Sequence, residues 1–169
     1  MWDPAFRFSE VRRGRAPEHA RCFILKDSFG ARGTREAPGL MAALDAGPGC
    51  EGLLFRIEGK NVDAETEILW RREKAGPAYI PAFINVTASG QPVEALTFVA
   101  DHSADVIEAG ITREEQIHFI ATGNGFLGTS LEYLTNIHSQ FMALGIVDDE
   151  VSALLREVQA YMESRRRAG

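Results

Sequence analysis

The sequence is poor in cysteine, in clustered histidine, in long apolar runs and in positive charge, and each shortage removes a class of protein. Its two cysteines, Cys22 and Cys50, lie in separate apolar segments without C-x-x-C spacing. That argues against a disulfide scaffold or a dithiol motif and suits thiols packed in a reducing cytosol. The four histidines, His19, His102, His118 and His138, are scattered. With no i,i+4 pair and no cysteine pair beside them, no metal site is expected. The longest uncharged stretch, 75–93, contains Pro77, Pro81, Asn85, Gln91 and Pro92 and does not read as a membrane helix. Asp3, Pro4 and Arg7 interrupt the early apolar residues, so no signal peptide is expected. Lys and Arg together number 18 against 24 Asp and Glu, a formal charge of −6. An acidic surface repels phosphate backbones, so nucleic acid is not an expected partner. The one basic run, Arg165 to Arg167, falls at the end of an expected helix, where cations suit the dipole.

What is present is an ordinary globular composition, 45% apolar and 25% charged over 169 residues. One compact domain over 1–169 is expected, burying roughly 70% of the surface its unfolded chain exposes. The first half reads as strands. "RCFILKD" at 21–27 has a β-branched and aromatic bias. "GLMAAL" at 39–44 is ambiguous by itself. The "DAGPG" turn and "CEGLLFRIE" at 50–58 follow it, and together they favour a hairpin. Residues 61–75 read as a helix that Asn61 or Asp63 can cap and that Gly76 and Pro77 stop. "YIPAFINVT" at 79–87 and "VEALTFVAD" at 93–101 are strand-like.

The last third is helical. Thr112 with Glu115 and Thr129 with Glu132 form two capping boxes, and Gly145 is a natural stop. Asp148 or Asp149 opens a final helix with Val151, Leu154, Leu155, Val158 and Met162 along one stripe. Strands segregated ahead of helices indicate an α+β fold. The five strand segments are expected to form one curved sheet or small barrel, with the 61–75 helix at its mouth.

Few stretches carry chemistry on their own. "GNGFLG" at 123–128 fits G-x-G-x-x-G but lies between two helices, so it reads as a C-cap, a turn and a new N-cap whose amides could hold a carboxylate. No G-x-S-x-G elbow exists, and His19 near Cys22 in sequence does not by itself activate a thiol. Glu73, in "WRREKAGPAY", is the more informative residue. It falls in the last turn of its helix, where the dipole disfavours a carboxylate. It shares a face with Leu69 and Trp70, and burial among them would suit proton transfer. Arg71, Arg72 and Lys74 flank it in sequence, and neighbouring helix residues do not face one another. On the residues alone a solvated charge remains the simpler reading.

Six stretches follow one another in a familiar order: "FRFSEVRRG", "RCFILKDSFGARGTREAPGLMAALDAGPGCEGLLFRI", "WRREKAGPAYIPAFINV", "EALTFVAD", "GFLGTSLEYLTN" and "GIVDDEV". Over nearly its whole length the chain resembles the ChaC-type γ-glutamylcyclotransferases. It departs from them mildly at Ser130, where family members usually carry Asn. The resemblance implies a cytoplasmic, cofactor-independent lyase that converts glutathione, or another γ-glutamyl peptide, to 5-oxoproline and a released amine. The substrate's α-amine attacks its own γ-carbonyl. Glu73 takes the amine's proton and returns it to the leaving group. Substrate contacts are implied for Tyr133, Ser130 and Thr34, with an amphipathic core role for Tyr133 equally open.

The opening "MWDPAF" is unusually apolar. In the family this stretch follows a short strand and a Y-G-S-L loop whose amides hold the γ-glutamyl group. The chain therefore reads as a member lacking that strand and cradle, and self-association through an exposed sheet edge is expected. An inactive binding module for a γ-glutamyl metabolite or a protein is the competing expectation.

Overall fold

The computed structural model describes residues 5–74 and 76–168, and Met1, Trp2 and Pro4 of the apolar opening lie outside them. The elements in order are β1 (Glu10–Ala16), β2 (His19–Asp27), β3 (Gly39–Ala46), β4 (Cys50–Arg56), α1 (Val62–Glu73), β5 (Tyr79–Ala88), β6 (Gln91–Ala100), α2 (Arg113–Thr122), β7 (Asn124–Gly125), β8 (Gly128–Thr129), α3 (Ser130–Leu144) and α4 (Asp149–Ala168). The class is α+β, as the segregation of strands and helices predicts. The backbone divides into two compact units, one of residues 1–20 and 44–104, the other of 21–43 and 105–169. The division falls inside both β2 and β3.

The first unit holds a four-stranded sheet in the order β4-β1-β5-β6. β1 pairs with β4 and with β5, and β5 with β6, all antiparallel. β1 runs beside β4 over its whole length, from Glu10 opposite Arg56 to Ala16 opposite Cys50. It meets β5 in register at Arg15 and Thr87. The inner face packs Ala16, Ile84 and Val86 with Leu44, Leu54, Ala82 and Ala95. The period-2 alternation of β5 places its even-numbered residues on this core. Phe83 on the opposite face is 70% exposed. Along that outer face, Pro81, Leu96 and Phe98 line an open groove of about 330 Å³ with Asp63, Thr66, Glu67 and Trp70 of α1.

Two strand expectations change. β2 and β3 form a separate two-stranded sheet, so the five predicted strands do not share one. The hairpin expected between 39–44 and 50–58 is also replaced, because β3 pairs with β2 and β4 pairs with β1. The cause lies in the turn. Gly47 donates its N–H to Glu18 O and approaches Ala20 so closely that a Cβ there would sit 2.4 Å from that methyl. Arg15 donates to Pro48 O at 3.0 Å. The turn thus hands the chain from the side of β2 to the side of β1.

The second unit is built around α2, α3 and α4. Phe23 and Leu40 from the strands pack with Ile120, Leu134, Ile137, Val151, Leu154, Leu155 and Val158 from the helices. Each helix is capped as its sequence predicts. Thr112 and Thr129 accept from the amides of Glu115 and Glu132, whose carboxylates reach back to the cap residues. Gly145 closes α3 in the left-handed conformation at φ 65°. Asp148 Oδ1 accepts from Val151 N at 3.0 Å, so it is Asp148 that starts α4. Its other oxygen pairs with Arg21, which lies over the Phe141 ring at 4.2 Å. Asn61 sits at the start of α1 without a side-chain cap bond. Among the described residues no helix is long and apolar enough to cross a membrane.

Leu154 has no exposed surface. Leu154→Ala is expected to lower the unfolding free energy by about 2–5 kcal/mol, read from the chemical denaturation midpoint. Arg156→Ala on the solvent side of the same helix should change it by no more than about 0.5 kcal/mol. A Leu154→Ala loss as small as that would contradict a shared three-helix core.

Candidate active site

Glu73 ends α1, and its side chain is 21% exposed. Arg72 Nε donates to its Oε1 at 2.7 Å. Adjacent helix residues diverge at Cβ, yet an arginine side chain is long enough to fold back at a helix end, so the expected separation of charges does not hold here. Trp70 is 46% exposed and has Lys74 Nζ 5.6 Å from its ring centroid. The apolar surroundings expected for Glu73 are therefore only partial. The second carboxylate oxygen, Oε2, has no hydrogen bond among the described residues.

In the second unit, the 27–39 segment is organised by a residue that the sequence reading passed over. Asp27 is 4% exposed. Its Oδ1 accepts from Phe29 N at 3.0 Å, and its Oδ2 accepts from Arg32 N and, at 3.1 Å, from Gly33 N. A buried carboxylate needs such partners. Three backbone N–H groups, from Phe29, Arg32 and Gly33, converge on one carboxylate. The signal was an acid followed within six residues by Ser, two glycines and an amide-rich turn, an Asx-type arrangement. Thr34 follows directly. Its Oγ1 accepts from Ala37 N at 3.1 Å, and its own N–H goes to Ala37 O at 3.0 Å.

The same segment meets the turn before α3. Phe126 N donates to Gly30 O at 2.6 Å and Leu127 N to Ala31 O at 2.9 Å. Arg32 also donates to Leu127 O. A Cβ on Gly123 would stand 2.4 Å from Gly39 Cα, and one on Gly39 would stand 2.4 Å from Arg32 O, so both positions need glycine. The N-terminus of α3 is already occupied by this chain's own groups. Glu132 Oε2 accepts from Thr129 N at 2.8 Å, and Ser130 N donates to Gly123 O at 3.0 Å. The amides that might have held a substrate carboxylate are thus largely spent.

Ser130 is fully buried. Its hydroxyl accepts from Leu40 N at 2.9 Å and donates to Leu40 O at 3.0 Å. Both capacities go to β3, so the side chain joins α3 to that strand. Tyr133, one turn later, is half-buried. Its hydroxyl accepts a long 3.4 Å bond from Ala42 N, its ring meets Phe23 edge-on at 6.4 Å, and the Arg32 guanidinium lies 5.7 Å from its centroid. No acceptor for its phenolic proton is present among the described residues. The second unit thus brings Thr34, Ser130 and Tyr133 around the 27–40 segment, whereas Glu73 belongs to the first unit.

An antiparallel α+β fold that carries a helix-terminal glutamate, an "RGT" loop and a capped "GTSLEYL" helix defines the class. The chain belongs to the ChaC-like protein family, whose model matches residues 1–161. It is 31% identical to the Escherichia coli glutathione-specific γ-glutamylcyclotransferase over 94% of this chain and 69% of that protein. It is 30% identical to the human glutathione-specific γ-glutamylcyclotransferase 1 over 85% of this chain and 66% of that one. The chain thus spans about two thirds of the length of these two relatives. The crystal structure of a yeast γ-glutamyl cyclotransferase specific to glutathione superposes with a TM-score of 0.81 at 18% identity, over 94% of this chain and 91% of that one, and shows the same fold.

Burial pushes the Tyr133 phenol above the ordinary tyrosine value, against the opposing pull of the Ala42 N–H and the charges of Arg21 and Arg32. A folded-state value above the unfolded one stabilises fully below the ordinary tyrosine value of about 10 and loses that contribution as pH rises through the folded value. Ultraviolet titration is expected to show a phenol ionising above the ordinary tyrosine value. Tyr133→Phe should remove that late phase. A late phase surviving in Tyr133→Phe would assign the buried phenol elsewhere.

Proposed function

We propose that the protein is a γ-glutamylcyclotransferase acting on glutathione, releasing 5-oxoproline and Cys-Gly. Membership of the ChaC-like family over residues 1–161, with a glutamate at the end of α1 in the R-E pair, is the observation that carries this reading. The α-amine nitrogen of the γ-glutamyl group forms a bond to its own γ-carbonyl carbon, and the amide bond to the cysteine nitrogen breaks. The ammonium loses one proton to Glu73 before attack and the ring nitrogen loses a second after it, and Glu73 passes each to the cysteine nitrogen, which departs as the Cys-Gly ammonium. The glutamate ends as it began, so no external acid, base or cofactor enters the balance. Arg72 holds Oε1 and fixes the orientation of the carboxylate, which leaves Oε2 for the transfer. Folding the substrate over its own amine supplies proximity, an effect able to account for several kcal/mol of the barrier, of the order of 7 or more.

In this reading Tyr133 donates its unspent phenolic proton to the substrate, and the Thr34 hydroxyl contributes a second polar contact. Ser130 acts at one remove, by holding β3 against α3. Glutathione is abundant in a reducing cytosol, the compartment that the cysteine usage suits. Self-association, if present, has β4 and β6 as the two ends of the four-stranded sheet at which to occur. Sedimentation over a concentration series tests it. A sedimentation coefficient rising with concentration is the expected result, and a constant monomer value would refute it.

Glu73→Gln keeps the shape and reach of the side chain and loses its basicity. With the gene product and glutathione, and with Cys-Gly and 5-oxoproline followed by chromatography, kcat should fall by about 10²–10⁴-fold. KM should change little, as for an interaction made in the transition state. Retention of more than about a tenth of the rate would remove Glu73 from the proton transfers. Binding of glutathione by the wild-type protein without release of Cys-Gly would favour a metabolite-binding module instead.

A further inference from the structure

Helix α1 is seated unlike an ordinary amphipathic helix. Such a helix turns an apolar stripe to the core. In α1 the apolar residues Val62, Ile68 and Trp70 are 39%, 42% and 46% exposed, and the one buried residue is an acid, Glu65, at 6%. No Lys, Arg or His pairs with Glu65 among the described residues. Its Oε2 accepts from the backbone N–H of Arg7 at 2.9 Å, a contact across 58 residues of sequence. The backbone that offers this N–H is itself held firmly. Phe6 and Phe8 pack edge-on against Phe55 of β4 at 5.5 and 5.0 Å. Ser9 N donates to Arg56 O at 2.8 Å. A carboxylate buried without a cation is an expensive way to fill space, and an apolar side chain would fill it at lower cost.

We infer that Glu65 is a positioning residue for Glu73: its carboxylate clamps α1 onto the 6–9 segment and thereby sets where the catalytic carboxylate stands. The inference rests on the cyclotransferase reading for its effect on rate and on the geometry alone for the clamp. Glu73 lies eight residues beyond Glu65 on the same helix, about 12 Å along the axis at 1.5 Å per residue. With no fully buried apolar residue in α1 among the described residues to hold it, a helix freed at Glu65 can tilt, and a tilt of about 10° moves its far end by about 2 Å. A displacement of about 1 Å in a reacting group is enough to cost roughly 10²-fold in rate.

Two substitutions test the clamp, Glu65→Met and Glu65→Gln. Methionine fills the same space and suits a helix but accepts no bond from Arg7, and exchanging a buried charge for an apolar group is often neutral or stabilising. Glutamine keeps a carbonyl acceptor for that N–H. Hydrogen exchange of the amides at 66–73 is measured without substrate, and glutathione turnover is measured separately. In Glu65→Met the α1 amides are expected to exchange at least about tenfold faster while the rest of the chain keeps its protection. Its kcat should fall by about 10–100-fold with KM within about threefold of wild type. Glu65→Gln should restore both. Unchanged α1 protection and kcat in Glu65→Met, equal impairment in Glu65→Gln, or faster exchange spread evenly over the chain would each overturn the clamp. If the wild-type protein released no Cys-Gly while the α1 amides still responded to Glu65→Met, the cyclotransferase reading would fail and the clamp would stand.

Discussion

The buried carboxylate of Asp27 is the constraint on which the second unit turns. Removing a charge from water costs several kcal/mol unless hydrogen bonds replace the lost solvent. Here three backbone amides do so, and they can reach one carboxylate only if residues 28–33 curl around it. That curl presents the carbonyls of Gly30 and Ala31 to the turn before α3, and it delivers the Arg32 side chain to Leu127 O and to the Tyr133 ring. Thr34 leaves the curl in position to close its own turn on Ala37. Of the residues with a proposed substrate contact, Thr34 is placed by backbone geometry that begins at Asp27, whereas Tyr133 is carried by α3 and meets the curl through Arg32.

One buried acid, Glu65, organises the first unit in a similar way, though with less redundancy. Glu65 holds α1 through a single backbone N–H, where α4 is held by four buried apolar residues on one face. The contrast follows from the work the helices do. A structural helix gains from a wide apolar stripe that admits one seat. In the proposed reading α1 carries an acid–base group at its end, which must stay accessible to a polar substrate, and a continuous apolar stripe reaching it would bury the carboxylate. Seating such a helix by a polar contact two turns away keeps the end polar at the cost of a less secure seat.

The sequence carried the helical half of the molecule in readable form because its determinants are local. Both capping boxes, the Gly145 stop and the Val151, Leu154, Leu155 and Val158 stripe depend on residues within one or two turns of each other. Glu73 stands out as an acid in the last turn of a helix, but on the residues alone a solvated charge is the simpler reading, and its proposed role comes from the family pattern. β1 escaped the strand reading because "EVRRGRA" has no apolar alternation. It forms because β4 pairs along all of it and ion pairs such as Arg13 with Glu51 cover its outer face. β7 and β8, two residues each, are too short to leave any periodic signal.

What the sequence determined by itself was the class of fold, the helix ends and the family pattern, all of which rest on short-range propensities or on an ordered set of motifs. The tertiary structure alone decided which strands share a sheet, since pairing is a choice among distant partners and a single close-packed turn at Gly47 redirected it. It alone decided that Ser130 spends its hydroxyl on Leu40 while the Tyr133 phenol accepts from Ala42 and finds no acceptor among the described residues. It also decided that Asp27 and Glu65, ordinary acids in the sequence, are buried. Burial is a property of everything packed around a residue, and no window of neighbouring residues contains it.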